Sequence, residues 1–75
     1  MVMKADEFVS KVRRYAKKNG LDFTFDPGHG KGSHGRLHVG DKFTTIVGQN
    51  KVIGKGLYHA MCRQLDIDPN DLRRF

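Results

Sequence analysis

The chain changes its hydrophobic period at Gly20. Before that glycine, Phe8, Val9, Val12, Tyr15 and Ala16 recur at offsets 0, 1, 4, 7 and 8, the stripe of an amphipathic helix. After it, Leu21, Phe23 and Phe25 alternate with Asp22 and Thr24, the two-residue period of a strand with one buried face. The first pattern predicts a helix from Ala5 to Asn19. Asp6 and Glu7 in its first turn and Lys17 and Lys18 in its last complement the helix dipole, and Gly20 suits the left-handed residue that ends a helix. A helix feeding a half-buried strand points a short chain to an α+β arrangement around one core.

The next segment, Asp26-Pro27-Gly28-His29-Gly30-Lys31-Gly32, breaks regular structure and reads as a loop. Two strands are expected beyond it, His34 to Val39 and Lys42 to Val47, joined at Gly40-Asp41 as a type II′ hairpin with glycine first. That two-residue turn pairs Val39 with Lys42, His38 with Phe43 and Arg36 with Thr45. Leu37, Val39 and Ile46 then face the core, and His34, Arg36 and His38 face outward. Phe43 and Val47 are out of phase with this assignment, and a three-residue loop or a bulge would shift the register, so the facing of the third strand stays open.

Gly48 to Gly54 reads as a second polar loop, with Lys51 inside it. A second helix should follow, with Leu57, Tyr58, Met61, Cys62 and Leu65 as its buried stripe and His59 and Arg63 on the other side. Asp68 before Pro69 has the form of an N-cap with proline at the first helical position, which predicts a short final turn of helix to about Phe75. The order is α-β-β-β-α with a short addition at the C-terminal end.

At 75 residues the chain is read as a single domain, 1–75. A domain of this size buries only about 60% of its unfolded surface, so a deep substrate cavity is not expected and any chemistry should lie at the surface. Fourteen Lys and Arg against eight Asp and Glu leave a formal charge of +6, which favours polyanionic partners. The single cysteine, Cys62, lies in an apolar stripe and reads as a buried thiol in a reducing compartment. No charged-then-apolar leader opens the chain and no apolar run approaches ~18 residues, so a cytoplasmic protein with no membrane partner is expected.

Chemistry is densest over Gly30-Lys31-Gly32-Ser33-His34-Gly35-Arg36-Leu37-His38. Backbone amides and cations suit a phosphate, and an imidazole that titrates near neutrality suits proton transfer; together they point to RNA. The glycines of Gly54-Lys55-Gly56 open the second helix, where free amides attract a phosphate, and Lys51 and Lys55 are further phosphate candidates. Zinc is not expected: His34 and His38 are four apart, roughly 13 Å on a strand, and Cys62 is assigned to the core. His29 reads as a loop residue and His59 as a helix-surface residue.

The basic first helix, the strand, the Gly30-Lys31-Gly32-Ser33-His34 element, the hairpin and the opening Ile53-Gly54-Lys55-Gly56-Leu57 of the second helix together resemble the HicA (YcfA-like) family. These are small mRNA-cleaving toxins of HicA–HicB toxin–antitoxin systems. Where that family often has a second His or Arg after its histidine, this chain has Gly35, with Arg36 one place on. The resemblance implies a double-stranded RNA-binding-domain-like fold, α-β-β-β-α, with a three-stranded antiparallel sheet and the helices packed on one of its faces. It also implies a metal-independent endoribonuclease with no cofactor, with His34 as general base on an RNA 2′-hydroxyl. Lys31, Gly32, Ser33 and Arg36 would hold the scissile phosphate, and a HicB-type antitoxin would be the protein partner. Two alternatives read from the same residues are a non-catalytic RNA-binding module and an interaction protein for an acidic partner.

Overall fold

The computed structural model describes residues 3–26, 35–46 and 52–75. In chain order these form β1 (Met3–Lys4), α1 (Ala5–Lys18), β2 (Phe23–Asp26), β3 (Gly35–Val39), β4 (Lys42–Ile46), β5 (Val52–Ile53), α2 (Lys55–Gln64) and α3 (Pro69–Leu72). The architecture is α+β.

Helix α1 buries Ala5, Phe8, Val12 and Ala16. At about 100° per residue these four share one arc, while Val9 and Tyr15 fall on its flanks and are half-buried. The helix ends in a Schellman motif: Leu21 N–H donates to the Ala16 carbonyl at 2.8 Å and Gly20 N–H to that of Lys17 at 3.4 Å, with Gly20 at φ +67°. This turn holds Leu21 outside the strand, 43% exposed, so the strand expected from Leu21 begins at Phe23 and extends to Asp26.

Strands β2, β3 and β4 form an antiparallel sheet in that order. The register across the hairpin is the one a two-residue turn dictates: Val39 opposite Lys42, His38 opposite Phe43, Leu37 opposite Thr44 and Arg36 opposite Thr45. Gly40 has φ +59° and Asp41 is not in the left-handed region, the signature of a type II′ turn. One face of the sheet carries Leu37, Val39, Thr44 and Ile46, all buried, with Phe23 and Phe25 packed against the same core. Thr44, the buried polar residue of this face, donates its hydroxyl to Oε1 of Gln64 on α2. Helix α1 packs against β2 and α2 against β4.

The segment expected to be a polar loop before α2 ends instead in a strand. Val52–Ile53 pairs antiparallel with Met3–Lys4, Met3 opposite Ile53 and Lys4 opposite Val52, and both Met3 and Ile53 are buried. Gly54 is the N-cap of helix α2, and its carbonyl accepts from Tyr58 N–H at 2.9 Å. Tyr58, Met61, Cys62 and Leu65 enter the core, but Leu57, expected there too, is 45% exposed. It lies about 90° around the helix from the centre of the other four, and they already fill the contact arc.

A second Schellman motif closes α2: Asp66 N–H donates to the Arg63 carbonyl at 3.1 Å and Ile67 N–H to that of Cys62 at 2.9 Å. Here a non-glycine residue, Asp66, holds φ +59°. Asp68 then caps α3, accepting from Asn70 N–H at 2.9 Å ahead of Pro69. Leu72 plugs the core with no exposure. Arg14 donates to the Phe75 carbonyl at 2.7 Å, and the Phe75 ring meets Tyr15 edge-on at 5.7 Å, so the C-terminal turn is docked on α1. Among the described residues no helix is long and apolar enough to cross a membrane.

Candidate functional site

The face of the sheet opposite the core carries two cross-strand rows. Asp26, Arg36 and Thr45 form one, and Thr24, His38 and Phe43 form the other. The alternation of a pleated strand requires this: with Leu37 and Val39 inward, Arg36 and His38 must point the other way. Arg36 is exposed and His38 half-buried, as the hairpin register predicts.

Val47 lies outside the described residues, and Phe43 resolves its own part of the conflict raised by the sequence. No bulge moves it inward; it stays on the open face with 49% of its surface exposed. It forgoes part of the roughly 1.5–3 kcal/mol that complete burial of such a ring contributes. The ring stacks on His38, with centroids 5.6 Å apart and planes 28° from parallel. The Arg36 guanidinium stands over it, 5.7 Å from the centroid, within cation–π range. Arg36, Phe43 and His38 thus form one contiguous group of flat, delocalised side chains, with Asp26 and Thr45 on either side of Arg36. Composition and motif reading passed over Phe43. The signal that could have identified it was the turn itself: Gly40-Asp41 sets the register, and the register leaves this phenylalanine outside.

Of the residues expected to act on RNA, Arg36 lies in β3 on this open face, and Lys55 is the exposed first residue of α2. The two belong to different elements. His34, Lys31, Gly32, Ser33 and Lys51 lie outside the described residues, as do Gly30 and His29. In sequence, His34 directly precedes Gly35, the first residue of β3.

The remaining basic groups are distributed by helix geometry. Arg13, Arg14, Lys17 and Lys18 occupy the exposed arc of α1 opposite its buried stripe. His59 is on the exposed side of α2, as expected. Cys62 is a buried free thiol, and burial pushes it up to about 11. Its neighbour one turn back, Tyr58, is pushed up to about 12 by burial and by Cys62, while its hydroxyl donates to the Pro69 carbonyl at 2.7 Å. Both groups are protonated at neutral pH and serve the core. Among the described residues, no three His, Cys, Asp or Glu side chains gather as a metal site would require. No family model matches this chain, and neither does any curated protein or solved structure.

Proposed function

We infer that this chain is an endoribonuclease toxin of the kind its HicA resemblance implies, acting on mRNA without a metal. The observation that supports this reading best is the outward display of Arg36 by β3, two residues after His34, on the sheet face opposite the buried core. A guanidinium in that position is available to a phosphate, and its planar fork matches phosphate oxygens. The succession α1, β2, β3, β4, α2 is compatible with the double-stranded RNA-binding-domain-like fold that the resemblance implies.

In the proposed reaction, His34 takes the proton from an RNA 2′-hydroxyl. The oxygen attacks the adjacent phosphorus, the 5′-oxygen departs and is protonated, and the products end in a 2′,3′-cyclic phosphate and a 5′-hydroxyl. An unperturbed imidazole, with a pKa of about 6.5, suits this task near neutrality. Lys31, Arg36 and the amides of Gly32 and Ser33 would stabilise the negative charge gathered in the phosphorane, with Lys51 and Lys55 on flanking phosphates. An acidic antitoxin of HicB type, covering the basic surface in the cytoplasm, would restrain the activity.

Incubating the protein with a long mRNA in EDTA tests the reading. The wild type should produce fragments bearing cyclic phosphates, and His34→Ala should lose about 10²–10⁴ in rate with an unchanged circular dichroism melt. Intact RNA with the wild type, or full cleavage by a folded His34→Ala variant, would overturn it. Stable complexes without fragments would instead favour the alternative, an RNA-binding module without catalysis.

A further inference from the structure

The open face of the sheet presents more than a cation. Phe43 lies on β4, an edge strand of the sheet, with half its ring in water, Arg36 over it at 5.7 Å and His38 stacked against it at 5.6 Å. We propose that this group is a stacking platform for an unpaired nucleobase, and that the RNA this protein engages is therefore single-stranded or looped at the point of contact. The proposal rests on the RNA reading above and specifies its substrate class.

Three features favour a nucleobase over another occupant. A base is flat and polarisable, and an exposed ring next to a guanidinium is the surface on which bases stack in proteins that bind single strands. The charge also matches: the chain carries a formal +6, and the Arg36 guanidinium beside the Phe43 ring places a cation where an RNA backbone would pass. Finally, the platform selects against duplex. In a helix every base is already stacked on both faces, and duplex readers work through shape, phosphates and 2′-hydroxyls. A single exposed ring on a pleated sheet can use only a base that has left its stack. The same preference would deliver a strand whose 2′-hydroxyl is free to turn in line with its phosphate.

The test compares wild type, Phe43→Ala and Phe43→Trp in titrations with a single-stranded oligoribonucleotide containing 2-aminopurine and with a duplex of equal length. Wild type should bind the single strand more tightly than the duplex and change the 2-aminopurine fluorescence on binding. Phe43→Ala should weaken single-strand binding by about 5- to 150-fold, the effect of losing one stacked base. Its salt dependence should be unchanged, because no phosphate contact is removed. Phe43→Trp should restore affinity, which a merely structural role for Phe43 would not require. Single-strand affinity unchanged in folded Phe43→Ala, while the wild type still binds and cleaves RNA, would overturn the platform and leave the nuclease reading standing. A wild type that neither binds nor cleaves RNA would overturn both. Loss of self-association in Phe43→Ala, with RNA binding intact, would assign the face to a second copy of the chain and also overturn the proposal.

Discussion

Raising the pH above 9 should destabilise this protein progressively, and replacing Cys62 with alanine should remove a defined part of that sensitivity. Cys62 has no exposed surface, and burial raises its thiol from 9.0 to about 11. In the unfolded chain the thiol ionises first, so between those two values the unfolded state holds fewer protons than the native one. Stability therefore falls as pH rises through this window, and it is fully present below it. A displacement of that size corresponds to roughly 2 kcal/mol by pH 11. Tyr58, raised from 10.0 to about 12, acts in the same direction but begins later. The two contributions do not add, because each anion opposes the other across one turn of α2. A chain of this length has a total stability of about 4–11 kcal/mol, so the loss from Cys62 alone is roughly a fifth to a half of the whole. Urea melts of wild type and Cys62→Ala, under reductant at intervals from pH 8 to 11, measure it directly. The difference between their unfolding free energies should shrink as pH rises. Parallel curves from pH 8 to 11 would refute the reasoning and imply that the Cys62 thiol is no harder to ionise in the fold than outside it.

Two further outcomes follow from the same geometry. Arg36→Ala should lower the slope of log K against log salt for single-stranded RNA by about 0.7, since one phosphate contact is lost; an unchanged slope in binding titrations would place the phosphate platform elsewhere, with Lys55 the next residue to replace. Leu72→Ala, which empties a fully buried site joining α3 to the core, should cost about 2–5 kcal/mol, read as a lower midpoint in urea at constant m-value.

Local pattern determined much of this molecule. The helical stripe of Phe8, Val12 and Ala16, the stop at Gly20, the hairpin turn at Gly40-Asp41 and the Asp68-Pro69 start of α3 were each legible from a few neighbouring residues, because periodicity, capping and turn chemistry act within one or two turns of chain. The same logic set the outward direction of Arg36 and His38 and drew attention to the residue types around His34.

Other features were decided only when distant segments met. Two-residue strands such as Met3–Lys4 and Val52–Ile53 have no period to read; they exist because their inward side chains, Met3 and Ile53, reach the same core. Leu57 is as apolar as its neighbours, yet the arc of α2 that meets the core was already occupied. Asp66 takes a left-handed conformation because Ile67 is buried just past the end of α2. Phe43 shows the contest most clearly. Its own transfer free energy favours the interior, but an inward Phe43 would require a one-residue slip that turned Thr44 and Ile46 outward as well. The turn and the rest of the core outweigh one ring, and the phenylalanine left in solvent came to rest beside Arg36 and His38, a neighbourhood that only the paired strands could assemble.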